Sequence, residues 1–243
     1  MSKVQSPNSK VIALACFALK EEAAPFRKIA AGKAEISILL TGIGRQNAEK
    51  TVREFLAGGA SVLASRSQDT STSQARLVGS LPPPSLVLTC GFAGGLNPDL
   101  KLGDVVFEVQ SPESKVQSQL LAAGAKPAKL FSADHVAVTA AEKKRLREET
   151  GADAVEMESA AIHAVCQERG IPCITVRVIS DTAKEDLPLD FNALAKPDKS
   201  LDYGKLLWAI AKSPGKTGAL MKLQKRTSFA AEQLANVLAK IIR

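Results

Sequence analysis

The sequence predicts an α/β fold, a single domain with a twisted, mixed central sheet flanked by helices. Largely apolar segments such as 11–19, which is a continuous apolar run, and 174–180 alternate along the chain with helical segments, which is typical of α/β proteins. Apolar strands of this kind occur in sheets that are covered on both faces. Hydrophobic residues make up 45% of the 243 residues, so one large core can form. We place the domain at 10–195, between a flexible N-terminus at 1–9 and a basic helical extension at 196–243.

The first part of the chain is predicted to contain two strand–helix units. The strand at 11–19 leads into a helix, and a second strand spans 34–42. Gly42 and Gly44 then form a turn that opens the next helix. Free backbone N–H groups at such a helix start suit an anion or a polarised water molecule. The turn, together with Arg45 beside it, is therefore a candidate water or phosphate loop.

The middle of the chain contains an irregular segment followed by a strand. Residues 59–83 are rich in Ser, Thr and Gln, and we predict an exposed insertion. The strand at 85–90 runs into a glycine-rich turn that contains Gly91, Phe92 and Ala93. Three glycines in five residues indicate a close approach of the backbone to a ligand or to another chain segment.

The second half is predicted to end in helices. Residues 135–138 look like a strand, and the charged segment 139–149, capped near Thr139, looks like an exposed helix. Two further helices are predicted at 201–212 and 217–241, separated by a Ser-Pro-Gly turn.

The last of these helices is amphipathic. Its apolar face contains Leu220, Leu223, Phe229, Leu234 and Val237. Its opposite face carries Lys222, Lys225 and Arg226. Such a helix packs on its own domain, pairs with a partner or lies on a bilayer surface, and the pattern leaves these alternatives open.

Acidic residues follow two of the predicted strands. Glu156 and Glu158 come where a short strand gives way to a helix, and Asp181 follows the strand 174–180. Ligands of open α/β sheets bind at the carboxyl ends of strands, so Glu158 and Asp181 are candidates for one pocket. A carboxylate there binds hydroxyl groups, and a partly desolvated one holds a proton and acts as an acid. The alternative is that both residues only cap helices.

Charge and cysteine content restrict the function classes. The net charge is +7, and 196–243 carries ten Lys and Arg against three Asp and Glu, so the excess lies in the extension. Such a tail attracts an anionic membrane surface or nucleic acid, unless it is simply a solvated helix. Four cysteines without a CxxC pair favour buried free thiols in a reducing cytoplasm. With only two histidines, we expect no metal and no cofactor.

Several common motifs do not occur in the sequence. It contains no GxGxxG, P-loop or GxSxG motif, which disfavours dinucleotide, ATP and α/β-hydrolase sites. No apolar run reaches the roughly 18 residues of a membrane-spanning helix, and the start lacks the apolar region of a secretory signal. We expect a cytoplasmic protein, with the inner membrane surface as a further site of contact and no nucleic acid partner.

Short motifs give the chain a resemblance to the purine and uridine phosphorylase superfamily. They are ALKEE at 18–22, TGIGRQNAE at 41–49, TCGFAGGL at 89–96, GDVV at 103–106, VEMES at 155–159 and VRVISDTA at 176–183. Within it, the chain most resembles the 5′-methylthioadenosine/S-adenosylhomocysteine nucleosidases. The resemblance covers about 10–190 and implies a homodimer or larger assembly that cleaves the bond between ribose and base. From Leu187 onward the chain resembles hopanoid-associated members, which implies an adenosyl-hopane-like substrate.

The resemblance also implies catalytic roles. Asp181 matches the acid that protonates purine N7, and Ser180 the residue that orients this acid. Glu158 matches the Glu that holds the ribose hydroxyls, with Met157 packed under the sugar. Glu22 matches the Glu that positions the attacking water.

Some positions leave alternatives open. Glu21 takes the role of Glu22 in positioning the water if the turn shifts by one residue. The group that stacks on the base is aromatic in the nucleosidases, whereas the comparable stretch here offers Val136, with Phe92 or His135 as replacements. Further substrate contacts are expected from Gly91, Ala93 and Glu156.

The nucleophile is predicted to be water. Phosphorylases of the superfamily hold phosphate with arginines, and the position of one of them lies near Thr89, which is not basic. Glu22 would also repel phosphate. Arg45 is the one feature that favours phosphate. We therefore expect a purine nucleosidase acting on a small-molecule nucleoside, with a phosphorylase or a non-catalytic, membrane-associated nucleoside-binding protein as alternatives.

Overall fold

The computed structural model describes residues 13–33, 36–58, 84–109, 115–194 and 217–241. Its strands are β1 (Ala13–Phe17), β2 (Ile36–Leu40), β3 (Leu86–Gly95), β4 (Val105–Val109), β5 (Lys126–Pro127), β6 (Leu130–Ser132), β7 (Ala154–Glu156) and β8 (Cys173–Asp181). Its helices are α1 (Lys20–Ala30), α2 (Arg45–Leu56), α3 (Lys115–Ala122), α4 (Ala140–Thr150), α5 (Ser159–Glu168), α6 (Phe191–Leu194) and α7 (Thr217–Ile241). The predicted N-terminus at 1–9, the insertion at 59–83 and the helix at 201–212 lie outside the described residues.

The strands form one mixed sheet of eight strands, which confirms the predicted mixed central sheet. Its main order is β2-β1-β3-β8-β4-β5, with β7 paired to β3 and β6 paired to β7. The pairs β1–β2, β1–β3 and β3–β8 are parallel, whereas β4–β8 and β3–β7 are antiparallel. The carboxyl ends of β1, β2, β3 and β8 therefore lie at the same edge of the sheet, where α/β proteins place ligands.

Helices cover both faces of the sheet and explain the continuous apolar runs. Side chains of β1 alternate between two cores, with Phe17 in one and Leu14 in the other. The first core lies against α1, α3 and α7, and the second lies against α2 and α5. Because both faces are buried, each residue of β1 has to be apolar.

The prediction of a glycine-rich turn at Gly91–Gly95 is wrong, because the backbone there is a strand. These residues continue β3, which pairs with β8 on one side and with β7 on the other. The register between β3 and β8 shifts between Ala93 and Gly94, so the ladder is irregular here. The glycines therefore mark close strand packing in place of a loop.

The predicted strand at His135–Val138 is also wrong, because its backbone groups bind elsewhere. The N–H of Val136 donates to Asn192 Oδ1 at 2.8 Å, and its carbonyl accepts from Asn192 Nδ2 at 2.9 Å. The N–H of Val138 donates to Glu142 Oε2, and its carbonyl accepts from the N–H of Leu187. Apolar alternation alone does not form a strand when side chains and a loop satisfy the backbone.

The segment between β4 and α4 contains more structure than the sequence indicates. Helix α3 and the short strands β5 and β6 were not predicted. The helix after Thr139 is confirmed, and Thr139 Oγ1 accepts the N–H of Glu142 as an N-cap. This helix is not exposed throughout, because Lys143 and Leu146 are buried.

Helix α7 packs on the domain through its C-terminal half. Ala230, Leu234 and Leu238 are fully buried in the first core. The predicted faces need correction at two positions, because Phe229 is 45% exposed and Arg226 forms an ion pair with the main body. No helix within the described parts of the chain is long and apolar enough to cross a membrane.

Candidate active site

Four buried charged side chains meet where several strands end. They are Glu22, Glu156, Glu158 and Arg177. Glu22 lies in the first turn of α1, Glu156 ends β7, Glu158 precedes α5, and Arg177 lies inside β8. A buried charge is costly without a partner, so this arrangement depends on the one guanidinium that the three carboxylates surround.

Arg177 is held by four different groups. Its Nη2 lies 2.6 Å from Glu156 Oε2 and 3.5 Å from Glu158 Oε2. Nη2 also donates to Thr89 Oγ1, and Nη1 donates to the carbonyl of Cys90. Burial opposes the charge, but the nearby carboxylates outweigh it and raise the pKa of Arg177. The guanidinium is therefore a fixed positive charge among acidic groups.

Gly91 provides the space in which these charges meet. Its φ is +150°, and a Cβ at this position would lie 2.6 Å from Arg177 Nη1 and 2.8 Å from Glu22 Oε1. Gly94, further along β3, lies close to Asp181, although less tightly, because a Cβ there would be 3.3 Å from Oδ2. The close approach that the glycines predict is therefore an approach to other parts of the chain.

Glu22 is fixed by two backbone hydrogen bonds. Its Oε1 accepts the N–H of Phe92 and its Oε2 accepts the N–H of Leu19, each at 2.9 Å. Burial raises the pKa of Glu22, against the effect of these bonds and of Arg177. The neighbouring Glu21 is exposed, so Glu22 is the residue of this pair that reaches the cluster.

Glu156 and Glu158 have opposite electrostatic environments. Burial alone would favour the neutral form of Glu156, but Arg177 and the hydroxyl of Ser159 outweigh it and lower the pKa. Glu158 Oε1 accepts the N–H of Gly44 at 2.9 Å. Burial raises the pKa of Glu158 to about 7, with Arg177 acting against the rise and Glu156 adding to it. At neutral pH one carboxylate is therefore fully charged while the other titrates.

The raised pKa of Glu158 predicts a pH-dependent stability. The folded state binds this proton more tightly than an ordinary Glu, so the contribution is complete below pH 4.5 and lost as pH rises through about 7. We expect the free energy of unfolding of wild type, minus that of Glu158→Gln, to fall over this window by at most about 1.4 kcal/mol per pH unit. Urea unfolding at several pH values measures it. The exposed Glu148→Gln should show no such slope, and a flat difference for Glu158→Gln would contradict the assignment.

Asp181 ends β8 and has its own set of partners. Its Oδ1 accepts the hydroxyl of Ser180 at 2.7 Å, and this hydroxyl also lies 3.3 Å from the carbonyl of Ala93. Its Oδ2 is buried and lies 2.5 Å from the Nζ of Lys143. The structure thus gives Asp181 a hydroxyl donor on one oxygen and an ammonium on the other.

The remaining residues of the predicted site have mixed surroundings. Met157 is half-buried between Glu156 and Glu158, and Phe92 packs against the first core. Val136 is held through its backbone by Asn192.

The water or phosphate loop is occupied by protein groups. The N–H of Gly44 binds Glu158, and Arg45 Nη2 donates to the carbonyl of Ser132 at 3.0 Å. Gly42 has a φ of +81°, which favours glycine, and precedes this contact in the same turn.

His135, the other candidate for stacking on the base, binds Asp134 and Glu142 through its two ring nitrogens.

Sequence reasoning missed Arg177 and Lys143. Arg177 interrupts an otherwise apolar strand, and a charge at such a position needs a buried partner. Lys143 lies three residues before the buried Leu146, so helical spacing places both on one face. The described residues contain no group of three His, Cys, Asp or Glu side chains arranged to hold a metal ion. The four cysteines are free, and Cys173 alone among them is only partly buried.

Comparison with known proteins agrees with the resemblance seen in the motifs. The sequence model of the family "Phosphorylase superfamily" matches residues 128–210. An aminodeoxyfutalosine nucleosidase of Helicobacter pylori is 33% identical over 44% of this chain and 60% of its own length. A 5′-methylthioadenosine/S-adenosylhomocysteine nucleosidase of Shewanella halifaxensis is 29% identical over 57% of this chain and 77% of its own length. The chain thus spans less than two thirds of the first of these relatives.

Solved structures share the fold over nearly the whole chain. The 5′-methylthioadenosine/S-adenosylhomocysteine nucleosidase of Helicobacter pylori, crystallised with butyl-thio-DADMe-Immucillin-A, has a TM-score of 0.63 at 21% identity. The match covers 95% of this chain and 97% of that one. Futalosine hydrolase of the same organism has a TM-score of 0.62 at 20% identity, with 96% and 97% covered. The predicted fold class is confirmed.

Proposed function

The chain is related in sequence to nucleosidases of the phosphorylase superfamily and shares their fold, and on this premise we propose that it hydrolyses the N-glycosidic bond of an adenine nucleoside. The observation that carries this proposal is the buried group of Glu22, Glu158 and Arg177 at the strand ends, with Asp181 further along β8. Carboxylates with different proton affinities are the groups that glycosidic cleavage needs.

Asp181 is proposed as the general acid. Adenine is a poor leaving group as an anion, so a proton placed on N7 lets it depart neutral. The bond between C1′ and N9 breaks, and its electron pair stays on N9. The sugar then carries the positive charge of an oxocarbenium-like state. Ser180 orients the acid through its hydrogen bond to Oδ1.

Glu22 and Glu158 are proposed to act on the sugar side. Glu22 binds a water molecule, which attacks C1′ and gives its proton to this carboxylate. Glu158 accepts hydrogen bonds from the ribose hydroxyls and stabilises the developing positive charge. Met157 lies between Glu156 and Glu158 in the sequence and packs under the sugar in this proposal. A raised proton affinity suits Glu22 to its task as a base in turnover.

Water is the favoured nucleophile over phosphate. Arg45 is engaged with the carbonyl of Ser132, and the N–H of Gly44 is engaged with Glu158. Arg177 is surrounded by carboxylates, which would repel a phosphate dianion. A phosphorylase remains the second candidate because of Arg45 alone.

The 5′ group of the nucleoside is the finer part of the proposal. The two relatives are named for methylthioadenosine or for aminodeoxyfutalosine, which are nucleosides with modified 5′ positions. We propose a substituted 5′ position of this kind, with a lipid-linked adenosyl-hopane group as the alternative. The apolar face of α7 is used in the core, so a peripheral membrane contact would have to use exposed residues such as Lys222 and Lys225. A homo-oligomer is proposed on the family resemblance.

Adenine release tests the proposed activity. We expect the purified chain to release adenine from methylthioadenosine at the same rate with and without phosphate, and to produce a free sugar. Chromatography of both products is the measurement, and a pyrimidine nucleoside such as uridine is the negative control. Strict dependence on phosphate would replace the nucleosidase by the phosphorylase. No release from methylthioadenosine, adenosine or aminodeoxyfutalosine would contradict a substrate of this kind and point to the lipid-linked alternative or to a binding role.

A further inference from the structure

Lys143 is buried in α4, the most highly charged helix among the residues that the structure describes. Its side chain is fully inaccessible, whereas the next residue, Lys144, is 78% exposed. Complete burial of a lysine is rare unless its charge is compensated. The packing of α4 alone therefore does not explain why Lys143 is buried.

The ammonium of Lys143 connects α4 to the segment that follows β8. Its Nζ donates to the carbonyl of Thr182 at 3.0 Å and to the carbonyl of Glu185 at 2.8 Å. An ammonium has three N–H bonds, so one remains for Asp181 Oδ2 at 2.5 Å. The two carbonyls fix the direction of the amine, and the contact with Asp181 is an ion pair more than an aligned hydrogen bond. All three acceptors lie within five residues of one another in the sequence.

A second cation, Arg226, also binds the segment that follows β8. Arg226 of α7 binds both carboxylate oxygens of Glu185, at 2.7 and 2.5 Å. Arg226 lowers the pKa of Glu185 to about 2, and Asp181 acts on Arg226 through its charge. Since Glu185 neutralises Arg226 directly, Lys143 is the cation whose charge is left for Asp181. On the strand side, Asp181 faces Gly94 and Ser180, which carry no charge.

The two oxygens of Asp181 are thereby made different. Oδ2 is buried against the ammonium, whereas Oδ1 accepts the hydroxyl of Ser180 and retains a second lone pair. Ser180 has a single hydroxyl hydrogen, which reaches either Oδ1 or the carbonyl of Ala93. A proton on Oδ1 is therefore compatible with the site, whereas a proton on Oδ2 would point at a cation.

We propose that Lys143 is a positioning residue for the proposed reaction, and this inference rests on the proposed function. Lys143 acts through Asp181 as a buried counter-charge that turns Oδ2 away from the substrate and leaves Oδ1 to transfer the proton to N7. In the transfer, the bond from Oδ1 to hydrogen breaks and the bond from N7 to hydrogen forms. Asp181 is then an anion again, stabilised by Lys143, and regains its proton from solvent after turnover.

Kinetics of Lys143→Met test this role, because Met is similar in length and carries no charge. We expect kcat to fall by about 10- to 100-fold, a part of the 10²–10⁴-fold effect of a general acid, with KM changed less than about threefold. At high pH, kcat/KM falls as the general acid loses its proton, and we call this fall the alkaline decline. In the variant the alkaline decline should move to higher pH, because an acid without its counter-charge keeps its proton to a higher pH. Lys144→Met on the exposed face is the matched control and should match wild type.

Two further variants separate charge from structure. Lys143→Arg keeps the charge and should retain the alkaline decline near its wild-type pH, even where kcat falls. Lys143→Gln keeps an N–H group for the carbonyls of Thr182 and Glu185, and replaces the Met variant if that protein does not fold. In an Asp181→Asn background, Lys143→Met should change kcat by less than about twofold. An equal loss in both backgrounds, or an unmoved alkaline decline, would overturn the proposal.

A measurement without turnover distinguishes this inference from the proposed activity. The infrared difference between wild type and Asp181→Asn isolates the carboxyl band of Asp181, and its pH titration follows the protonation directly. If wild type releases no adenine, the proposed function fails, but Lys143→Met must still make Asp181 protonate at higher pH. An unchanged titration in that variant would overturn the role of Lys143 independently of any substrate.

Discussion

Replacing Asp181 with Asn is expected to lower kcat for adenine release by about 10²–10⁴-fold, which is the usual contribution of a general acid. Asn has the same shape but cannot supply the proton that lets adenine leave neutral. The hydrogen bond from Ser180 to the side-chain oxygen can persist, so the position of the side chain is retained. KM should change little, because the loss concerns the transition state and not ground-state binding. Steady-state kinetics of adenine release give both constants.

The control for this variant is Asp99→Asn, an equal change at an exposed residue. It should leave both constants at the wild-type values. Thermal unfolding should show Asp181→Asn folded, which separates lost chemistry from lost structure. Should Asp181→Asn retain more than about one third of the wild-type kcat, Asp181 would not be the acid, and the assignment of the site would need another proton donor.

Replacing Arg177 with Met is expected to destabilise the protein by about 3–5 kcal/mol, the cost of leaving buried charges unpaired. Arg177 is 1% exposed and lies against Glu156 and Glu158, which would lose their counter-charge. Thr89 and Cys90 would also lose the donor that binds them. Urea unfolding at neutral pH measures the free energy of unfolding.

The deficit of the Arg177 variant should shrink at acid pH. Arg177 contributes to holding the pKa of Glu156 below its usual value, so without it this carboxyl takes up a proton more readily. A neutral carboxyl no longer needs the guanidinium, and the variant recovers part of its stability as pH falls. The control is Arg53→Met, which breaks exposed ion pairs with Glu49 and Glu168 and should change stability little. A pH-independent deficit would indicate a packing defect instead.

The position of the acidic residues could be predicted because strand ends are visible in the sequence. A continuous apolar run ends at a recognisable residue, and Glu22, Glu158 and Asp181 follow such ends. The parallel pairing of β1, β3 and β8 then brings the carboxyl ends of β1 and β8 to one edge. The pattern alone predicts one pocket for Glu158 and Asp181, whereas Glu22 enters through the family resemblance. Because β7 is antiparallel to β3, the rule for parallel strands does not by itself place Glu158 at this edge, and the roles of these residues stay proposals.

The cationic partners could not be predicted in the same way. Lys143 and Lys144 are adjacent in a charged helix, and only the burial of one face by the rest of the chain makes them different. The strand predicted at 135–138 failed for a related reason, because Asn192 and Leu187, distant in sequence, bind its backbone. Long-range partners of polar groups leave no periodic signal.

The packing of α1 against α7 has a consequence for how the protein is made. Phe26 of α1 and Leu234 and Leu238 of α7 belong to the same core, although they come from opposite ends of the described chain. A ribosome delivers α1 before α7, so the apolar face of α1 and of the central strands stays uncovered until α7 has been synthesised. The nascent chain therefore exposes an apolar surface between the synthesis of α1 and that of α7, and this core closes only after α7 has emerged.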